Sequence, residues 1–274
     1  MNDPYTRLIT RLVDLYGQFP QVEAIALSGS RTSGGSTDPA SDIDLYVFTT
    51  SVIPLDARVK LVEQAGGAAR ADLNLNYWGL GDEWFDTATG IEVDAVYWDT
   101  RWIEGMLDSV LNRCLPSLGF TTSFWHTMRS ALILYDRGGW LGQLKEQCER
   151  DYPEELRGNI ITHNLAVLRA VIPSYTRQIE KAVRRGDLVS ANHRVAALLA
   201  SYFDVIFAFN RVLHPGEKRL LEQAARLCSR VPENMAERVT AVLRAAGQGD
   251  ARLIAEVNRL VDGVEEMVGK GVEP

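Results

Sequence analysis

Strand-like patterning in this chain is confined to the first hundred residues, and helix-like patterning takes over from there, so the fold has to be a sheet followed by a helical part. The strand runs are short. Ile25-Ala26-Leu27 is an apolar run that breaks at Ser28-Gly29-Ser30, while Asp42 to Phe48, Ala71 to Trp78 and Ile91 to Trp98 alternate with period two. Helical spacing of apolar residues fills positions 4–18 and Pro54 to Ala69. After residue 100 it recurs over Arg101 to Cys114, Phe124 to Leu134, Glu155 to Arg185, Ser190 to Val212, Gly216 to Arg230 and Arg252 to Val268. The expectation is an α+β chain: a small mixed sheet of four or five strands over residues 1–100, then an all-α bundle over 101–274 with no strand in it.

The chemistry concentrates in residues 25–47. A buried strand that ends in Ser28-Gly29-Ser30 brings backbone N–H groups close to a ligand, and the Ser30 hydroxyl adds a donor, an arrangement suited to phosphate oxygens. Gly34-Gly35 keeps the next turn free of bulk. Asp42 and Asp44, two apart on a strand, project from one face with Cα atoms roughly 6 to 7 Å apart. Asp is disfavoured in strands, and two like charges on one face repel unless something positive lies between them. Glu92 and Asp94 share a face in the same way. If their strand neighbours the Asp42 strand, Asp94 completes a three-carboxylate cluster suited to two Mg²⁺ ions about 4 Å apart, and is placed to take an acceptor proton. Glu92 competes for that third place. Asp82, Glu83 and Asp86 follow the Gly79-Leu80-Gly81 turn and read as loop carboxylates available to an acceptor.

Gly29-Ser30, Gly34-Gly35 and Ser41-Asp42-Ile43-Asp44-Leu45 together resemble the signature of the DNA polymerase beta-type nucleotidyltransferase superfamily, above all its bacterial antibiotic adenylyltransferases acting on aminoglycosides or lincosamides. The resemblance covers about the first third of the chain. It implies that Gly29, Ser30 and Arg31 contact a nucleoside triphosphate, with ATP expected, and that Asp42, Asp44 and Asp94 bind Mg²⁺. Tyr152 to Leu156 and Asn210 to Lys218 are similar to the helical domain of a poorly characterised bacterial nucleotidyltransferase family. Lys218, just after Pro215-Gly216, can reach a triphosphate or stay solvated. The implied reaction moves AMP to a hydroxyl and releases pyrophosphate, in a cleft between sheet and bundle. Transfer to a protein hydroxyl, or a non-catalytic nucleotide-binding regulator of antitoxin type, are the alternatives.

Charge narrows the acceptor. The net charge is −7, and residues 1–100 hold 6 basic and 15 acidic side chains, which argues against a nucleic-acid polymer and for a small molecule, cationic ones included. No apolar run reaches the length of a membrane span and the N-terminus is charged throughout, so no membrane partner and a cytoplasmic location are expected. Cys114, Cys148 and Cys228 lack metal-type spacing and read as reduced thiols. The four histidines read as structural or surface residues, and Arg177, Lys181, Arg184 and Arg185 as a solvated basic face. Trp102, Trp125 and Tyr135 can pack or stack a ring. Oligomeric state leaves no mark on the sequence.

Overall fold

The computed structural model describes residues 3–28, 42–77 and 79–270. The chain divides into two compact units, Met1–Leu107 with Thr127–Arg150, and Asp108–His126 with Asp151–Pro274.

In the first unit, α1 (Pro4–Tyr16) starts where Asp3 caps it: Oδ1 accepts from the Thr6 amide at 3.1 Å and Pro4 occupies the first turn. The strands β1 (Val22–Leu27), β2 (Ile43–Thr49), β3 (Ala68–Leu75), β4 (Gly81–Asp86), β5 (Glu92–Asp99) and β6 (Leu132–Asp136) form one sheet in the order β3-β4-β5-β2-β1-β6. The β2/β5 pair is parallel and the rest are antiparallel. One face buries Ile25, Ile43, Leu45, Val93 and Ala95 against Leu8 and Leu12 of α1 and Leu61 and Val62 of α2 (Leu55–Ala65). The helix expected to run to Ala69 stops at Ala65 because Gly66 and Gly67 take φ of 129° and 78°, which turns the chain into β3.

β6 corrects the expectation of a strandless second half and raises the sheet to six strands. The helix expected over Phe124 to Leu134 is α4 (Ser123–Ser130), and the chain then pairs with β1, Ile25 opposite Tyr135. A short Leu132-Ile133-Leu134-Tyr135 run fits helix and strand equally, and the open edge of β1 decides it. Asp136 then starts α5 (Trp140–Cys148), accepting from the Gly142 amide at 2.8 Å.

β4 is a second correction. Asp82 and Asp86 are not loop carboxylates open to an acceptor; they lie on the core face beside Trp84, 1% and 2% exposed. Asp82 Oδ1 meets Arg58 Nη1 at 2.5 Å and accepts from the Asn74 amide at 2.8 Å, while Oδ2 accepts from the Tyr97 hydroxyl at 2.7 Å. Arg58 Nε also donates to the Ile53 carbonyl at 3.1 Å. The Tyr16 and Tyr97 hydroxyls are linked at 2.8 Å, and burial raises both above the usual phenol range, so they act as neutral donors. Asp86 accepts from the amide and hydroxyl of Thr89 and closes the β4–β5 turn.

The second unit is helical among the described residues. It holds α6 (Glu154–Leu165), a π turn over Ala166–Ala170, α7 (Tyr175–Arg184), α8 (Leu188–Phe209), α9 (Leu220–Leu227), α10 (Met235–Ala246) and α11 (Ala251–Gly269). α3 (Thr100–Leu111) and α4 straddle the two units. The stretch read as one helix from Glu155 to Arg185 breaks at Pro173, and α9 is shorter than expected, beginning only after Arg219 at φ 54°. α8 is buried all round from Ser201 to Phe209 and forms the centre of the unit. All three cysteines stay thiols, Cys114 and Cys148 buried and Cys228 half-buried.

Within this unit a buried polar cluster ties residues 117–122 to α6 and α8. Asp204 Oδ1 accepts from the Thr121 amide at 3.1 Å and Oδ2 from its hydroxyl at 2.6 Å, with Asn164 Nδ2 at 3.3 Å. Asn164 Oδ1 accepts from the Gly119 amide at 3.1 Å; at φ 81°, a Cβ on Gly119 would stand 2.8 Å from the Ala200 Cβ, so only glycine fits there. Asp204 is 1% exposed with neutral donors around it, and burial pushes its carboxyl up to about 7. Its folded value lies above the unfolded one, so its contribution to stability is full below about pH 4 and lost as pH rises through about 7. Buried His214, lowered to about 4 by burial, contributes the opposite slope between about pH 4 and 6.5. Comparison of Asp204→Asn with wild type cancels the histidine. The melting temperature of the variant minus that of wild type is expected to grow by several degrees from pH 4 to pH 8; a constant difference would contradict a buried titrating carboxyl.

Candidate active site

Strand pairing lines up a row of polar side chains across four strands on the face opposite the α1/α2 core. Leu27 pairs with Leu45, and the Ser28 amide donates to the Asp44 carbonyl at 2.9 Å, which sets Ser28 beside Asp44. Asp44 is in parallel register with Asp94, and Asp94 in antiparallel register with Glu83. The row therefore reads Ser28, Asp44, Asp94, Glu83, with neighbouring strands about 4.8 Å apart. Asp42, just before β2, and Glu92, the first residue of β5, lie one step further along the same face. Burial alternates as that requires: Ile43, Leu45, Val93 and Ala95 are buried, whereas Asp44, Glu92, Asp94 and Glu83 are half-buried and Asp42 exposed.

Carboxylates this close resist ionising together. Burial first, then the charges of Glu83, Asp44, Glu92 and Asp42, push the Asp94 carboxyl up to about 6. Ionising Asp94 costs stability as pH rises through about 6, and a cation that binds the ionised form must displace the proton below that value. Divalent-cation affinity, read with Mn²⁺ as the probe, is expected to weaken about tenfold per pH unit below 6 and to level off above it. A flat profile from pH 5 to 8 would contradict the coupling.

The row brings Asp44 and Asp94 together and sets Asp42 on the same face. Among the described residues no three His, Cys, Asp or Glu side chains converge as a ligand set; what the strand register shows is Asp44 opposite Asp94 on one face. Gly29, Ser30 and Arg31 lie outside the described residues, as do Gly34, Gly35 and Ser41. Lys218 is exposed on the turn before α9, in the second unit. Glu83 is the member that sequence reasoning misplaced. Its signal was the alternation Asp82-Glu83-Trp84-Phe85-Asp86, in which Trp84 and Phe85 mark a strand that the preceding glycines obscured.

Beyond the carboxylates the same face turns aromatic. Tyr46 stacks on Trp98 with ring centroids 4.2 Å apart, and Trp98 meets Phe48 at 5.8 Å and Trp102 at 5.6 Å. Trp140 Nε1 donates to Glu104 at 2.6 Å, and its ring lies 5.4 Å from Phe48.

A family model described as a domain of unknown function (DUF4037) matches residues 121–220. No curated protein matches the chain. Among solved structures, a nucleotidyltransferase-like protein from Exiguobacterium sibiricum is similar at 16% identity and a TM-score of 0.46, over 98% of this chain and 78% of its own. An aminoglycoside 6-adenyltransferase from Bacillus subtilis is similar at 9% identity and a TM-score of 0.33, over 99% and 92%. The spectinomycin adenyltransferase AAD(9) from Enterococcus faecialis, with ATP and spectinomycin, is similar at 11% identity and a TM-score of 0.30, over 95% and 98%. At these scores and identities the weight falls on the carboxylate row itself.

Proposed function

We propose that this protein is a divalent-cation-dependent nucleotidyltransferase that moves a nucleoside monophosphate, AMP from ATP, to a hydroxyl of a small molecule and releases pyrophosphate. The observation that carries this reading is the register of Asp44 with Asp94, flanked by Ser28 on one side and Glu83 on the other. The donor set fits Mg²⁺: it is all oxygen and carboxylate-rich, and burial followed by the neighbouring carboxylates holds Asp94 above the usual carboxylate range. Asp42, Asp44 and Asp94 would hold the ions, whose chemistry is to neutralise triphosphate charge during in-line displacement at phosphorus. The chain's own part is alignment. Ser28 leads directly into Gly29-Ser30, the turn that by motif resemblance cradles the phosphates. In this reading Asp94, ionised at neutral pH, would take the acceptor hydroxyl's proton.

The acidic first hundred residues and the motif resemblance favour a cationic small acceptor, with aminoglycoside and lincosamide antibiotics the first to try. Incubation with ATP labelled at the α-phosphate, Mg²⁺, an antibiotic panel and, separately, cell lysate tests the proposal. A labelled small product with stoichiometric pyrophosphate is expected. A labelled protein band with no modified drug would replace the acceptor by a protein hydroxyl, and nucleotide binding without pyrophosphate release would make the chain a regulator.

A further inference from the structure

Of the three rings whose spacing allows either packing or stacking on a ligand, one is open to solvent. Trp125 is 1% exposed and Tyr135 packs against the α1/α2 core, whereas Trp102 is 43% exposed. Its place is fixed at the first turn of α3, where its amide donates to Asp99 Oδ1 at 3.1 Å. Its ring meets Trp98 with centroids 5.6 Å apart, and Trp98 in turn lies 4.2 Å from Tyr46 with planes 20° from parallel. Strand alternation puts these rings on the face of the carboxylates, Tyr46 two residues past Asp44 and Trp98 four past Asp94. A ladder of rings thus leads from the carboxylate row to an exposed indole. Trp98 stands about 13 Å along β5 from Asp94 by strand rise, a span that a nucleoside triphosphate covers. Buried Phe48, 5.8 Å from Trp98, and Trp140, whose Nε1 donates to Glu104 of α3 at 2.6 Å, hold the ladder rigid. All of these residues belong to the first unit.

We propose that Trp102, at the exposed end of this ladder, binds the nucleobase: it stacks on the base of the triphosphate whose phosphates and cations the carboxylate row receives. The inference rests on the nucleotidyltransferase reading above. The rings of the ladder carry no charge, so metal ions and a cationic acceptor are drawn to the row, and a flat neutral ring is what suits the ladder. Stacking reads the area of a ring rather than its hydrogen-bond pattern, because every base has a π face. Trp102 therefore favours purines over pyrimidines and does not by itself separate adenine from guanine.

The test is Trp102→Ala, which removes the ring, beside Trp102→Phe, which keeps a smaller one. Affinities for a non-hydrolysable ATP analogue and for tripolyphosphate, which has no base, are measured by calorimetry with Mg²⁺, and affinity for Mn²⁺ alone by electron paramagnetic resonance. Trp102→Ala is expected to weaken the analogue about fivefold to a hundredfold, the worth of one base stacked on an aromatic ring, and Trp102→Phe to recover most of that loss. Tripolyphosphate and Mn²⁺ are expected to bind both variants as they bind the wild type. Unchanged analogue affinity in Trp102→Ala, or an equal loss for tripolyphosphate, would overturn the stacking role. A raised acceptor KM with unchanged analogue affinity would overturn it too, by giving the ladder to the acceptor. If the wild type binds the analogue no tighter than tripolyphosphate, the stacking inference fails and the nucleotidyltransferase reading stands; if it takes up Mn²⁺ but neither triphosphate, both fail.

Discussion

Asp44→Asn is expected to lower nucleotidyl transfer about 10²- to 10³-fold while the protein melts no lower than wild type. Asp44 stands in register with Asp94 at the centre of the polar row, with Ser28 on its other side. The substitution keeps the size of the side chain, turns one acceptor oxygen into a donor, and removes one negative charge from a face where burial first, then Glu83, Asp44, Glu92 and Asp42, raise Asp94. A charge removed from such a face relieves repulsion in the folded protein, so stability holds or rises. Activity falls because charge stabilisation aimed at a reacting centre in a partly dehydrated site is worth several kcal/mol. Steady-state pyrophosphate release and thermal melts on the same preparation check both halves; retained transfer, or lost fold, would remove Asp44 from the site.

Asp82→Ala is expected to do the reverse, costing about 3 to 5 kcal/mol of stability and roughly ten degrees of melting temperature, because it strands a buried guanidinium. Arg58 is 2% exposed and its Nη1 meets Asp82 at 2.5 Å; the Asn74 amide and the Tyr97 hydroxyl lose their acceptor as well. Glu83→Gln, one residue on, faces the other side of the sheet and is expected to leave melting nearly unchanged, while Arg58→Met with Asp82→Leu is expected to recover part of the loss, since a paired apolar replacement leaves no lone charge. Denaturant unfolding of the four proteins checks the order. Equal melting of Asp82→Ala and Glu83→Gln would mean that strand alternation does not separate core from site in β4.

The difference between those neighbours marks the limit of what the sequence discloses. Asp42, Asp44 and Asp94 were legible because apolar residues at every second position force the acids between them onto one face, and the parallel pairing of β2 with β5 then makes the faces one. Asp82 and Glu83 were not legible, because a strand that begins at Gly81 and carries three acids in six residues looks like a loop until β3 and β5 pair with it. Nothing local marks Arg58 as the buried partner, since arginine is ordinarily a surface residue on a helix such as α2. β6 was missed for a related reason: five residues carry too little periodicity to choose between strand and helix, and the choice is made by the edge of β1, more than a hundred residues earlier. α10, with buried Val239, Val242 and Ala246 at helical spacing, carries the full helical pattern in its sequence.

The carboxylate row is tested most directly by anomalous diffraction from crystals grown with Mn²⁺ and a non-hydrolysable ATP analogue. Expected is Mn²⁺ about 2.1 Å from carboxylate oxygens of both Asp44 and Asp94, with the analogue's phosphates at the Ser28 end of β1. Mn²⁺ and analogue bound together elsewhere, with Asp44 and Asp94 hydrogen-bonded only to protein, would contradict it.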